Sequence, residues 1–419
     1  MPNRYGQLIR NITWLGGASL AVKPLWILFI TLVCARLLGA AGYGVLNTAL
    51  SLASLAFALT NFGLVEFTVR EVAAERSNAA PFLSNFLLLR VALVVAAAAL
   101  AMGSALVLGY EPLLFAAVGV TCLYQGSLSV TEYARSFFKA FEVLRYEAVS
   151  VVAEKVLVIN GGATLLYATL RPTWTLVGMA VGMTLTAGGT LLFVLRRLAP
   201  FRASTIRLTF WRASFQTLWP FGVASLLGMA FFRIDTVMVE AMGGVVMAGQ
   251  YGLPFRIVEA LNMLPAIVVG AAAYPRLARL LRVGERDEAQ RLVFILAGLL
   301  LALSIPIAAV LAAVASPVIE WIATDPVLHA GTPALRVLCW AFPLNTLINL
   351  LYFSLSAADL QRFLVVALLI GVVANVGLNL YLIPTHGIVG ASVATIVSQL
   401  LLLSIYSVRY YRWLRSPHG

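Results

Sequence analysis

Charge is scarce in this chain. Asp, Glu, Lys and Arg together supply 11% of the residues, against roughly 25% in a soluble globular protein. With 61% hydrophobic residues and a mean hydropathy of +0.95 over 419 positions, too few polar side chains remain to cover a water-exposed surface. Ten-residue segments of alternating polarity, the mark of an outer-membrane barrel, are also missing. The expected class is an all-α polytopic membrane protein. Cysteine is equally sparse. Cys34, Cys122 and Cys339 lie far apart in apolar runs without nearby histidines, so neither a disulfide framework nor a thiolate metal site is expected. His329, His386 and His418 fall in loops or the tail. There is no P-loop, no HExxH, no dinucleotide fingerprint and no Ser-His-Asp set. The chain is therefore read as a non-enzyme without a cofactor or catalytic residues.

What is present is length. A membrane-spanning helix needs about 20 mostly apolar residues. Twelve runs meet that requirement: about 14–38, 43–67, 82–108, 112–133, 146–169, 173–195, 214–240, 248–273, 290–314, 332–356, 361–383 and 387–408. The segment SPVIEWIATDP is too short to span and reads as an outer-face interfacial turn. Net charge is +12, which elsewhere would suggest nucleic acid. Here most basic residues cluster in alternate short loops, and no basic stripe is interleaved with exposed aromatics, so no nucleic-acid partner is expected. The positive-inside rule instead places both termini in the cytoplasm. The opening MPNRYGQLIRNITW lacks a signal-peptide cleavage pattern and reads as a retained cytoplasmic end.

One basic cluster, RRLAPFRASTIRLTFWR, falls nearly halfway along the chain. It divides an N-terminal six-helix lobe (1–195) from a C-terminal one (214–419), with a cytoplasmic linker at 196–213. An internal repeat supports the division. GAAGYGVLNTALSLASL overlays AGQYGLPFRIVEALNML, with Tyr43-Gly44 on Tyr251-Gly252. Because six crossings return the chain to its starting side, the lobes are expected to be parallel repeats around a central cavity.

ARLLGAAGYGVLNTALSLASL followed by NFGLVEFTVREVA resembles the N-terminal signature of the polysaccharide-exporter branch of the MOP superfamily, the Wzx-like oligosaccharide flippases. RIDTVMVEAMGGVVMAGQYGL resembles the start of that family's second lobe, and NVGLNLYLIPTHGIVGASVATIVSQ its C-terminal signature. The resemblance implies a twelve-helix, two-lobe exporter of the bacterial inner membrane. It implies a polyprenyl-diphosphate-linked oligosaccharide as substrate, for O-antigen, capsule or exopolysaccharide synthesis. Polymerase and chain-length proteins are the partners it implies. Asn61 departs from the aspartate expected before Phe62-Gly63-Leu64, which removes a proton site expected there. Two rivals are a cation-coupled multidrug antiporter of the related branch and a membrane-embedded glycosyltransferase or ligase. The first wants an acid-dominated cavity, and the second a large outer loop.

A charge at mid-bilayer costs ~3 kcal/mol or more, so charges within spans demand a reason. Five bases remain there: Lys23, Arg90, Lys155, Arg233 and Arg256. Arg256 and Arg90 lie close enough to helix ends to snorkel. Lys23 and Lys155 lie about 15 Å into their helices, and they are two of only three lysines in the chain. A compact ammonium at that depth suits an anionic head group. Adjacent helix positions point about 100° apart, so Glu154 is not the expected partner of Lys155; Asp235 or Glu259 is. On the seventh helix Arg233 and Asp235 point about 200° apart, which assigns them to separate neighbours. Lys23, Arg90, Lys155 and Arg233 are the expected head-group contacts. Asp235, Glu154 and Glu259 are the candidates for proton or sodium coupling. Glu66 and Arg70 are expected to pair at i, i+4, Arg256 and Glu259 at i, i+3. Glu240 is expected at the outer interface. The pairs Asn345/Asn349 and Asn375/Asn379 read as interhelical glue, with sugar recognition as the alternative.

Overall fold

The computed structural model describes Val22 and residues 24–415, with backbone alone at 208–209, 213, 215–217, 220–221, 264–268 and 271–272. Lys23, one of the expected head-group contacts, lies outside the described residues. The described chain is helical nearly throughout. A π turn at Phe29–Val33 leads into α1 (Cys34–Phe57), followed by α2 (Leu64–Ala74), α3 (Ala79–Val107), α4 (Pro112–Ala140), α5 (Leu144–Thr169) and α6 (Pro172–Arg197). Then come α7 (Leu208–Val268), a second π turn at Val269–Ala273, α8 (Tyr274–Arg282), α9 (Arg286–Ala313), α10 (Ala315–Ile322), α11 (Thr332–Leu338), α12 (Ala341–Ala357) and α13 (Gln361–Arg415). Proline occupies the first turn of α4 and α6, where its missing N–H has no helical partner to lose.

Among the described residues, eight helical runs are long and apolar enough to cross a membrane, or nine when the bent pair α11–α12 is counted as one crossing. Three of these runs are kinked at a single glycine. Gly39 in α1, Gly244 in α7 and Gly387 in α13 take φ of 63°, 76° and 57°. A side chain would be strained there, and one such residue turns helix directly into helix without a loop. The three glycines fall at or next to boundaries between the expected spans, 38/43, 240/248 and 383/387.

By contacts the chain forms two compact units. The first holds the described residues up to Leu38 together with Val45–Met229; the second holds Gly39–Gly44 and the residues from Ala230 onward. In the first unit, Phe67, Phe82, Phe86 and Phe210 pack ring against ring. The basic stretch after α6 is stitched to the start of α3. Arg202 N–H donates to Ser84 Oγ at 2.8 Å, Arg207 N–H to Asn85 Oδ1 at 2.9 Å, and Asn85 Nδ2 to the Thr205 carbonyl at 2.8 Å. The second expected span is broken. After α1 a 3₁₀ turn (Ala58–Thr60) leads to Phe62 and Gly63 at φ of 38° and 69°, and α2 restarts at Leu64. Gly63 supplies the left-handed step that ends the run.

In the second unit, glycines let backbones touch. A Cβ on Gly44 would overlap the Val245 carbonyl, and one on Gly249 would overlap the Ala40 carbonyl. The Asp325 carboxylate accepts from Ala40 N–H at 2.8 Å and Val327 N–H at 3.0 Å. Gly44→Val should therefore destabilise the protein by about 1–3 kcal/mol through overpacking. A detergent melt comparing it with Gly188→Val, whose added Cβ meets nothing within 4 Å, checks this; equal melting would contradict the close approach. The expected interfacial turn at 316–326 is instead the short helix α10 and the start of a 3₁₀ turn (Pro326–Gly331). Its apolar residues Ile319 and Ile322 are buried, which favours a packed helix over an open turn.

Candidate functional site

In the first unit, α4, α5 and α6 enclose a charged core. Glu154 is buried and takes two cations: Arg135 Nη1 at 2.7 Å and Lys155 Nζ at 2.6 Å. Arg135 also donates to Ser150 Oγ at 3.0 Å and to the Ser150 carbonyl at 2.8 Å. Ser150 Oγ in turn lies 2.8 Å from Thr190 Oγ1. Lys155 Nζ sits 5.0 Å over the Trp26 ring, a cation–π contact.

The expected partner of Lys155 is thus corrected. It pairs with its sequence neighbour Glu154, not with Asp235 or Glu259. Two long side chains can curl toward each other and overcome a 100° offset on the helix surface. Arg135 lies just past the end of the expected span 112–133. In the structure α4 runs to Ala140 and carries the residue inside, 7% exposed. One turn further, Lys139 Nζ lies 3.4 Å from the buried Glu147.

Arg90 does not snorkel. Its side chain is fully buried, with Nε on Ser129 Oγ at 2.8 Å and Nη2 at 3.8 Å from Glu132. Ser129 Oγ passes the chain on to Thr60 Oγ1 at 2.9 Å. In this conformation the Arg90 guanidinium has no exposed surface. Glu66 and Arg70 do not form the expected ion pair either. Arg70 Nη2 bonds Glu71 at 2.8 Å, since both side chains extend freely from the end of α2.

The second unit repeats the arrangement of one acid between two bases. Glu259 receives Arg233 Nη2 at 2.6 Å and Arg256 Nη1 at 2.8 Å. The expected Arg256–Glu259 pair is present, and Arg233 joins it from the facing helical arm of α7. Arg233 also lies over the Phe232 and Phe255 rings at 5.2 and 5.7 Å. Its Nε is buried without a hydrogen-bond partner. Each triad carries net charge +1.

Asp235 points away from this triad, as the helix angles predict. It is 1% exposed and is held by neutral groups. Asn379 Nδ2 donates to Oδ1 at 2.7 Å; Thr395 Oγ1 and Tyr251 Oη donate to Oδ2 at 2.6 and 3.2 Å. Asn379 also donates to Asn375 Oδ1 at 3.1 Å. Among the described residues no ion pair reaches Asp235. A carboxylate in such a place is stabilised by hydrogen bonds but carries no countercharge. Tyr251, noticed in the sequence only as half of a repeated Tyr-Gly pair, is one of its donors. Glu240 is 8% exposed and lies one turn before the Gly244 corner of α7.

Beside Asp235 and Glu259 lies a cavity of about 30 Å³, also lined by Asn262, Asn345, Thr395 and Gln399. Gln399 is buried, and its Oε1 has no hydrogen-bond partner. The volume accommodates water or a small ion.

Comparison with known proteins places this geometry in context. The family model described as polysaccharide biosynthesis protein matches residues 8–281. The MatE model matches residues 220–381. No curated protein matches the chain. The inward-facing structure of a multidrug resistance MATE family transporter of the MOP superfamily superposes with a TM-score of 0.79 at 12% identity, over 94% of this chain and 96% of that one. The lipid II flippase MurJ, in an inward closed conformation, gives 0.74 at 13% identity, over 95% and 87%. A MOP superfamily transporter from Pyrococcus furiosus, whose reversed pocket polarity suggests a different function, gives 0.62 at 13%, over 98% and 96%.

Proposed function

Because the chain belongs to the polysaccharide biosynthesis protein family of MOP transporters, we propose that it is a flippase for polyprenyl-diphosphate-linked oligosaccharides. The proposed setting is the bacterial inner membrane, with both termini cytoplasmic, as the distribution of basic residues suggests. Two six-helix lobes, 1–195 and 214–419 joined by the basic linker, alternate access to a cationic central cavity. Polymerase and chain-length proteins receive the product.

The observation that carries this reading is the Arg233–Glu259–Arg256 triad. Two guanidiniums share one carboxylate, so a positive charge is left over within a helical run apolar enough to span. Guanidinium is the side chain that matches phosphate oxygens in bidentate fashion. Lys155 offers the same excess in the first unit, and Lys23 remains a proposed contact. Glu154 and Glu259 are each occupied by two cations, which leaves Asp235 as the acid for proton or sodium coupling.

The MatE match supports a second reading, a multidrug antiporter. Against it, each triad sets two bases against one acid, whereas a cationic drug calls for an acid-dominated cavity. Depleting the protein in its host and analysing membrane lipids by mass spectrometry tests the proposal. Lipid-linked oligosaccharide should accumulate, and Arg233→Gln should fail to clear it. An unchanged lipid profile with raised drug sensitivity would favour the antiporter.

A further inference from the structure

The triad of the second unit raises a question of supply: what holds two guanidiniums apart and ready when no anion is bound? The geometry points to Glu259 as a displaceable internal counter-ion, occupying the place that a substrate phosphate takes. This inference rests on the head-group reading above and goes beyond it by assigning Glu259 to anion selection instead of ion coupling.

Four observations support it. Glu259 binds Arg233 through both carboxylate oxygens, Oε1 at 2.6 Å and Oε2 at 3.4 Å, while Oε2 also takes Arg256 at 2.8 Å. A phosphate presents the same oxygens to the same donors, with more charge. The Glu259 side chain retains 21% exposure, so its end of the triad can be reached. Arg233 Nε is a buried donor with no acceptor, and a ligand with three oxygens can satisfy it where a carboxylate with two does not. Finally, the adjoining cavity, with the amide side chains of Asn262, Asn345 and Gln399 on its walls, gives a displaced carboxylate room and donors.

The Glu154 triad of the first unit lacks this freedom. Its acid is 4% exposed and its Arg135 is tied to Ser150, which in turn bonds Thr190. The first triad is a fixed structure; the second is exchangeable. An internal carboxylate of this kind makes weak anions poor competitors and reserves the site for a multiply charged phosphate.

The test measures binding of inorganic pyrophosphate and of farnesyl diphosphate to the full chain in neutral-lipid nanodiscs. Glu259→Gln removes the competing charge, so its affinity for the probes should rise about tenfold or more over the unsubstituted protein. Glu259→Asp keeps a competing charge and should show no such gain, which separates charge removal from loosened packing. A gain on both probes, or on the lipid-linked probe alone, supports the inference; the second pattern identifies the lipid-linked head group as the source of the phosphate. Unchanged or weaker binding by Glu259→Gln, with the unsubstituted protein still binding, overturns the inference and leaves the flippase reading standing. Absence of binding by every form overturns the head-group reading itself. A thermal melt in the same nanodiscs confirms that each variant is folded; if Glu259→Gln does not fold, Glu259 is a structural anchor and the inference fails.

Discussion

Asp235→Asn is expected to abolish the ion dependence of transport while leaving the protein folded. The substitution is nearly isosteric, and the site already consists of neutral donors: Asn379, Thr395 and Tyr251. What disappears is the negative charge. Hydrogen bonds to a charged group are worth about 1.5–3 kcal/mol each, so weakening them while removing the cation's partner should lower coupled transport on the order of 100-fold or more. The measurement is translocation in proteoliposomes under imposed proton and sodium gradients. Asp235→Asn should give the same low rate with and without a gradient. A variant that still accelerates under a gradient would place coupling elsewhere. Asn379→Asp is a useful companion, since a second acid 2.7 Å from the first should alter the gradient response without enlarging the site.

Glu154→Gln is expected to have the largest effect on stability. It leaves Arg135 and Lys155, 9% and 18% exposed at the side chain, facing each other without a countercharge. Removing one partner from a buried ion pair costs about 3–5 kcal/mol. Here two cations lose the same partner, so the upper end of that range applies. Expression and the melting temperature in detergent should both fall. Combining it with Lys155→Met, which removes one of the stranded charges, should recover part of the loss. A Glu154→Gln protein that melts like the unsubstituted one would show that the triad contributes no stability. The contrast with Glu259→Gln, expected to alter ligand affinity first, separates a structural triad from an exchangeable one.

The two triads also show how far a sequence can be read. Apolar run length alone predicts the twelve crossings, because hydrophobic thickness sets a hard lower limit on helix length. Helix angles likewise separate Arg233 from Asp235, since that depends only on residues two apart on one helix. The i, i+3 pairing of Arg256 with Glu259 follows from the same arithmetic. Pairing between helices is another matter. Arg135 looks like a loop residue because Glu132, Arg135 and Lys139 raise the polarity of its surroundings, yet α4 continues through them and turns Arg135 inward. The signal lay in the unbroken series of buried aromatics Tyr133, Phe137 and Phe138 around it. Lys155 with Glu154 reverses the simple angular rule because side-chain length outweighs backbone direction. The donors of Asp235 come from residues 16, 144 and 160 positions away, and no local pattern marks them. Asn375 and Asn379 were legible as polar residues on one face, though the bond from Asn379 to Asp235 was not.

The glycine corners illustrate the same division. Gly39, Gly244 and Gly387 each fall at the junction between two apolar runs, where a turn was expected. That each turn reduces to one left-handed residue depends on close packing of the helices that follow. At Asn61-Phe62-Gly63 the position of the break was hidden, because the flanking residues are as apolar as any span.

The most direct test of the account is translocation by the purified protein in liposomes loaded with a fluorescent polyprenyl-diphosphate oligosaccharide. The account predicts protein-dependent transfer of the sugar to the opposite leaflet, read by accessibility to an added glycosidase, and its loss when Arg233 and Arg256 are both replaced by Gln. Transfer that persists in the double variant, or an unsubstituted protein that moves a cationic dye but no lipid-linked sugar, would contradict it.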